Sequence, residues 1–346
     1  MKINNISLNK YIFIDFPIKG YLEGNSITEV SIRRPLSKPL RFLRKLPFFS
    51  RVISNTKERK GWFEECKGAN TIILFDTFTH YATYCNEIEN YVGKDVRLIL
   101  YLLNPAFFSE DYKKISTRWE IWSFMKEDAL KYNFKYGATF YNPQLLAQNS
   151  IEKDSQTSTD CDLLFVGTDK GRKDFLLNLK SQLEQNKVAC DFKIVDNFRS
   201  LFSRKYSREV SYKNLCRLNK RTSAILDVVQ DGQTGLTLRI MEGLLFDKKI
   251  VTTNAAIRMD KDFKDNPNIY VITKDNIKEL YTFLKKPIRS RRQRQMCIRD
   301  SVITKDNIKE LYTFLKKPMV EYPNNLKAKY SFTNWLKRID NNEEAE

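Results

Sequence analysis

Between Ala224 and Asn254 the chain reads AILDVVQDGQTGLTLRIMEGLLFDKKIVTTN, and this stretch concentrates the residues best suited to chemistry. A buried-type strand ends near Val229, a loop carries Gly232 and Gly235, and a helix opens at about Leu236. Glycines let a backbone come close to a ligand. The start of a helix offers unpaired N–H groups and a partial positive charge, which suit a phosphate. Arg239 and Glu242 stand three residues apart and so share a helix face. The guanidinium of Arg239 can give two parallel hydrogen bonds to phosphate oxygens. Glu242 can accept from sugar or ribose hydroxyls, or form a plain intrahelical pair with Arg239. Gln233 and Thr237 flank the same loop and helix start.

A second candidate turn is Phe165 to Arg172, FVGTDKGR, where Gly167, Thr168, Lys170 and Arg172 could approach the same phosphates. A bland strand-to-helix turn explains that text equally well. Asp160-Cys161-Asp162 spells D-x-D, the text that metal-dependent sugar transferases use. It precedes a strand instead of following one, which puts both carboxylates at the wrong sheet edge. No metal site is expected.

These residues need a scaffold, and the chain supplies one in two rounds. Short apolar, β-rich runs alternate with longer amphipathic stretches, the pattern of βα units around a parallel sheet. In the first round strands are predicted at Tyr11–Phe16, Thr71–Phe75, Val96–Leu103, Glu120–Phe124 and Ala138–Tyr141, with helices at Tyr81–Val92 and Lys126–Tyr132. Asp76 follows the second strand at once. Residues 143–160, polar and opened by Pro143, read as a linker.

The second round predicts strands Asp162–Val166, Cys190–Val195, Ala224–Val229, Lys249–Thr253 and Ile269–Ile272. Its helices are Arg172–Gln185, Arg208–Asn219, Leu236–Phe246 and Asn276–Leu284, and Asn325–Ile339 makes a terminal helix. The expected organisation is a first domain over 1–142, the linker, a second domain over 161–287, a doubtful stretch over 288–318, and a helix and tail over 319–346. Two Rossmann-like domains facing a cleft would hold ligands outside the carboxyl ends of their strands.

The doubtful stretch is a duplication. Val271–Pro287 and Val302–Pro318 are the same 17 residues, VITKDNIKELYTFLKKP, letter for letter. Structural repeats drift in sequence, because only their core positions are constrained. The 14-residue spacer Ile288–Ser301 contains Met296–Asp300, which ATG-TGT-ATA-AGA-GAC encodes, a string within a common transposase sequencing adapter. The segment therefore reads as an assembly artefact, and without one copy and the spacer 315 of the 346 residues remain. The spacer carries five Arg and one Asp and the copy four Lys, one Asp and one Glu, so the formal charge of +18 falls to +12.

Even +12 implies a polyanionic partner or surface: a nucleic acid, an anionic membrane or a phosphorylated substrate. No RRM, KH or zinc-finger pattern is present, so no nucleic acid is expected as a partner. The six cysteines are scattered with no CxxC and read as reduced thiols, and with a single histidine a zinc site is not expected. No window nears the roughly 18 apolar residues of a membrane span, and the polar start Met1–Lys10 has no signal-peptide core. Ser31–Ile53 interleaves Arg41, Arg44, Lys45 and Arg51 with leucines and phenylalanines, which suits an interfacial segment on anionic lipid, although Pro35, Pro39 and Pro47 break any long helix.

The Gly232–Asn254 text resembles the donor-binding signature of GT-B glycosyltransferases. It is more closely similar to a group of bacterial lipopolysaccharide and capsule biosynthesis proteins. In these, like text is followed by an Asn-Ile-x-Val-Ile strand, here Asn268–Ile272, and the first half resembles Glu120–Tyr141. The likeness runs from about Thr71 to Leu284; Met125 stands where that group has an acidic residue.

The resemblance implies an α/β, GT-B-like glycosyltransferase, metal-independent and with no cofactor beyond the nucleotide-sugar co-substrate. Donor contacts would come from Gly167, Thr168, Lys170, Arg172, Gln233, Gly235, Thr237, Arg239 and Glu242. The acceptor would be a lipid-linked saccharide, a precursor of lipopolysaccharide, O-antigen or capsule. The enzyme would be cytoplasmic and rest peripherally on the anionic inner-membrane surface. An inverting transfer needs a base for the acceptor hydroxyl, for which Asp76 and His80 are placed after a strand's carboxyl end. The alternatives are a non-catalytic GT-B-like scaffold and a basic nucleic-acid-binding protein.

Overall fold

The computed structural model describes residues 10–35, 56–77, 80–145, 160–196, 199–272 and 305–345. The chain divides into two compact units, Met1–Gly137 with Glu344–Glu346, and Ala138–Glu343. Each is an α/β unit built on a wholly parallel sheet, the class that the alternating pattern predicts.

The first unit's six-stranded sheet uses β1 (Tyr11–Ile14), β2 (Thr28–Val30), β5 (Thr71–Phe75), β6 (Arg97–Leu102), β7 (Trp119–Ser123) and β8 (Lys135–Tyr136). Their order is β2-β1-β5-β6-β7-β8. A separate antiparallel pair, β3 (Arg33–Pro35) and β4 (Thr56–Glu58), leaves the sheet. β1 and β5 are buried at every position, YIFI and TIILF, because helices cover both faces of a parallel sheet. Helix α1 (Tyr81–Tyr91) turns Tyr81, Tyr84, Cys85 and Ile88 inward, one face of a 3.6-residue period. Helix α2 (Lys126–Tyr132) ends on Asn133 in the left-handed conformation, φ 56°.

The second unit's five strands are β9 (Cys161–Thr168), β10 (Cys190–Val195), β11 (Thr222–Asp227), β12 (Lys249–Thr252) and β13 (Ile269–Val271), in the order β10-β9-β11-β12-β13. Its helices are α3 (Lys173–Gln185), α4 (Tyr212–Lys220), α5 (Leu238–Phe246), α6 (Lys305–Lys316), α7 (Asn324–Lys329) and α8 (Phe332–Asn341). α4 starts later than the expected Arg208 because the Ser211 hydroxyl accepts from Asn214 N at 3.4 Å and caps it there. α5 is buried from Ile240 to Phe246, Glu242 included, because apolar residues and Gly243 fill the other positions there.

Gly243 lets α5 lie this close to the sheet, since a Cβ there would stand 2.6 Å from Ile250 Cγ1. Gly243→Val is therefore expected to cost about 1–3 kcal/mol of stability through overpacking, read by urea denaturation. An unchanged denaturation midpoint would show that the layers can part freely.

Two predicted elements change. Ala138–Tyr141 is not a strand. Tyr141 N donates to Tyr330 O (2.9 Å) and Phe332 N to Tyr141 O (2.7 Å), while Phe140 packs on Trp335 at 4.4 Å between centroids. The run's backbone is thus satisfied by the turn before α8 and not by a sheet, and it belongs to the second unit. The single terminal helix is two, α7 and α8, divided at Tyr330–Ser331, where the Ser331 hydroxyl caps α8 by accepting from Asn334 N. The expected helix Asn276–Leu284, most of the linker and most of the basic Ser31–Ile53 segment lie outside the described residues.

Candidate functional site

In the second unit β10 lies on one side of β9 and β11 on the other. The chain reverses its winding there, and at such a switch point the crevice outside the carboxyl ends of the strands is the usual ligand position. Three charged side chains meet at it. Arg172, just before α3, donates from Nη1 to Val228 O, from Nη2 to Thr168 O (2.6 Å) and from Nε to Asp169 O (3.3 Å). Arg239, in the first turn of α5, donates to Val166 O and to both Glu242 oxygens at 3.2 and 3.3 Å. Asp227, the last residue of β11, is buried and accepts from Thr237 Oγ1 at 2.9 Å and Thr252 Oγ1 at 2.8 Å.

The sequence accounts for these positions. Thr237 caps α5 by accepting from Arg239 N (3.2 Å) and Ile240 N (3.4 Å), and this fixes where the helix opens and so where Arg239 stands. Asn254 donates to Thr234 O (2.9 Å) and Gly235 O (3.2 Å), which holds the glycine loop against the end of β12. Gln233 closes a turn within that loop through Gln233 N to Gln230 O, 3.1 Å. Gly167, one residue before the end of β9, lies beside the Arg172 guanidinium; a Cβ there would meet Phe165 Cζ at 3.1 Å. Lys170 and Gly171 both adopt positive φ (41° and 81°), and Thr168 and Lys170 are exposed on this turn.

The electrostatics favour an anion. Burial pushes the Arg172 pKa down to about 10, and Arg239 adds to that, while Asp227 and Asp169 oppose it. Burial raises Asp227 against its hydrogen bonds from Thr252 and Thr237 and the two arginines. Arg239 is paired with the buried Glu242 and Arg172 gives its donors to backbone carbonyls, and the two guanidiniums, with Asp227 near both, repel each other. A phosphate would relieve their repulsion and take the same donors.

Glu242 is placed otherwise than expected of a hydroxyl acceptor. It is 0% exposed, its pKa is raised chiefly by burial, and its carboxylate is turned to Arg239. Here it orients the arginine. The D-x-D text falls at the opposite edge, where Asp162 accepts from Ala189 N at 2.9 Å. A pocket of about 440 Å³ at the entry to β13, lined by Lys261, Asp262 and Asn268 among others, lies on that amino-terminal side too.

In the first unit the winding reverses between β1 and β5. Asp15 and Asp76 follow those two strands. Asp76 is buried, and its carboxylate accepts from Leu103 N (2.6 Å), Asn104 N (3.1 Å) and Asn104 Nδ2 (3.3 Å), which braces the loop after β6. His80 is exposed, with φ 71°, immediately before α1. Asp15 was hidden inside the predicted strand Tyr11–Phe16; it takes φ 53° and accepts from Ser31 Oγ (3.0 Å) and Ile32 N (3.1 Å) through one oxygen. The signal that could have found it is a repeated one: YIFI, TIILF and TSAIL are each followed at once by Asp.

Burial raises the pKa of both Asp15 and Asp76 to about 6, against their hydrogen bonds. Between about pH 4 and 6 the folded chain holds these protons and the unfolded chain does not, so stability must fall as pH rises through that window. Each group accounts for about 2–3 kcal/mol, and Asp15→Asn, which keeps the acceptor and cannot ionise, is expected to remove its share of the slope in urea melts. A parallel pH profile in that variant would contradict the burial argument. Glu120 acts at lower pH: Arg97 and Lys135 overcome its burial and hold it near 2, so its contribution fades only below about pH 4.

No family model matches the chain, and no curated protein matches it. Among solved structures it is similar to a UDP-forming α,α-trehalose-phosphate synthase from Burkholderia xenovorans, with 9% identity, 97% of this chain and 96% of that one covered, and a TM-score of 0.43. It is similar to the DNA-modifying enzyme β-glucosyltransferase, with 11% identity, coverages of 96% and 98%, and a TM-score of 0.40. It is also similar to a protein described as a UDP-N-acetylglucosamine 2-epimerase from Listeria monocytogenes, with 8% identity, coverages of 97% and 99%, and a TM-score of 0.43. At these scores the likeness carries no argument about activity or substrate.

Proposed function

We propose that this protein is a glycosyltransferase that takes a sugar from a nucleotide-sugar donor, with the donor's diphosphate held at the crevice between β9 and β11. The observation that carries the reading is the convergence of Arg172 and Arg239 there, beside the Thr237-capped start of α5 and near the buried carboxylates of Asp227 and Glu242. In this reading the arginines supply positive countercharge to the diphosphate, so it needs no metal ion. Gly167, Thr168, Lys170, Gln233 and Gly235 form the backbone around it. Transfer breaks the bond from the anomeric carbon to the diphosphate oxygen and forms one to an acceptor hydroxyl, whose proton goes to a base. Asp15 and Asp76, with pKa values near 6, have the titration range for that role.

The acceptor in this reading is a lipid-linked saccharide of the lipopolysaccharide, O-antigen or capsule kind, met at the cytoplasmic face of the inner membrane. The basic and apolar text of Ser31–Ile53 supports it. No helix among the described residues is long and apolar enough to cross a membrane. A thermal-shift screen of the 346-residue chain against UDP-, GDP-, CMP- and dTDP-sugars tests the proposal. A rise in Tm with one nucleotide family is expected. A flat response to all four, with salt-sensitive binding to a random oligonucleotide instead, would overturn it.

A further inference from the structure

Helix α4 turns Tyr212, Leu215, Cys216 and Asn219 to the core, the i, i+3, i+4 and i+7 positions of one face, and the Ser211 cap fixes that register. Asn219 is out of place on such a face. It is fully buried, and neither its amide nitrogen nor its amide oxygen completes a hydrogen bond. Buried polar groups in folded proteins are nearly all paired, and an unpaired amide destabilises where an apolar side chain of the same size does not. The arrangement around it shows what its donor is for.

α4 packs against α5, and Lys248 Nζ, just beyond α5, donates to Lys220 O at the end of α4 at 3.0 Å. Between the helices lies Glu242. Burial raises its pKa, and Arg239 and the nearby Asn219 amide pull against that. The amide thus stands beside the carboxylate without completing a hydrogen bond to it. Arg239 Nη1 serves both Glu242 oxygens, at 3.2 and 3.3 Å, while Nη2 goes to Val166 O. These Glu242 contacts are long beside the roughly 2.7–2.9 Å of a strong charge-assisted bond. Were Arg239 to turn its fork to a diphosphate, Glu242 would be left charged and unpaired in the core, a penalty that one phosphate contact does not offset. A second donor already in place removes much of that penalty.

We propose that Asn219 is a positioning residue for Arg239: its Nδ2 takes over the Glu242 carboxylate when Arg239 swings to the donor's diphosphate. The proposal rests on the diphosphate site described under the proposed function. Without an anion the exchange is uphill, because a neutral amide replaces a charged donor, and the diphosphate supplies the difference in affinity that drives it.

Asn219→Leu, close to the amide in volume, tests this in the full-length chain by thermal unfolding and by isothermal titration with UDP and with inorganic pyrophosphate. Removing an unpaired amide should leave Tm level with the parent or up to about 4 °C higher, while affinity for both ligands falls about 10-fold. An asparagine with a merely structural role would lower both together. In a Glu242→Gln background no buried charge is stranded when Arg239 leaves, so adding Asn219→Leu should then change affinity by less than about twofold. Unchanged affinity in the single variant, or the same 10-fold loss in the Glu242→Gln background, would overturn the proposal. Should the leucine variant fold poorly, Asn219→Ala gives the second measurement: the same loss of affinity is expected, and parental affinity would refute the role. A parent chain that binds neither UDP nor pyrophosphate would instead remove the diphosphate site itself, and this proposal with it.

Discussion

Arg172→Ala should weaken binding of the nucleoside diphosphate that answers the donor screen by about 10- to 100-fold, the worth of one or two charge-assisted hydrogen bonds. The same change should leave stability nearly untouched. The three carbonyls that Arg172 now engages sit at strand ends beside the crevice, where water can replace it, and its removal relieves repulsion with Arg239. Isothermal titration with UDP or its analogue, beside a urea melt, separates the two effects. Lys264→Ala is the control for net charge: it removes a cation from the same unit, 53% exposed and loosely paired with Asp265 at 3.9 Å. Equal weakening in both variants would mean that the ligand responds to overall charge and not to this crevice. Arg239→Ala is a poorer probe, because it would strand the carboxylate of the fully buried Glu242.

Asp227→Ala should have the largest effect on folding, on the order of 3–5 kcal/mol, because it leaves two threonine hydroxyls without their acceptor and removes a buried countercharge near Arg172 and Arg239. Asp227 is 2% exposed and receives Thr237, the cap of α5, and Thr252, the end of β12. Its loss therefore loosens the helix start and the strand end together. Asp227→Asn keeps an acceptor and removes the charge, so about half the penalty is expected, on the scale of a lost charged hydrogen bond. Urea denaturation of both variants checks the order. A stability within about 1 kcal/mol of the parent for the alanine variant would mean that the threonines and arginines find compensation elsewhere, and the weight given to Asp227 would lose its basis.

These two expectations rest on different kinds of information. The Arg239–Glu242 spacing, the loop glycines and the strand before them were legible because a helix and a strand announce themselves by local periodicity. Arg172 was also legible, as a cation on a glycine turn. That Glu242 would be sealed in the core was not, since the spacing that puts it beside Arg239 fits an exposed pair equally well. Asp227 escaped notice for a related reason. Written into the strand Ala224–Val229, it looked like part of a buried run, and its importance comes from Thr237 and Thr252, ten and twenty-five residues away. The expected strand at Ala138–Tyr141 failed because a buried apolar run fits a sheet or an anchor alike, and its hydrogen-bond partners near Ser331 are remote in sequence.

By itself, then, the sequence determined the α/β class, the parallel strands and the helix that presents Arg239, because apolar patterning is a property of neighbours along the chain. It also exposed the duplication, which is visible only as text. Tertiary structure alone decided the strand orders, and with them the two points where the winding reverses. Those orders bring Asp15 beside the strand before Asp76 and Arg172 to the carbonyl of Val228. Strand pairing is chosen by which buried faces can be covered together, a global condition that no local stretch of residues encodes.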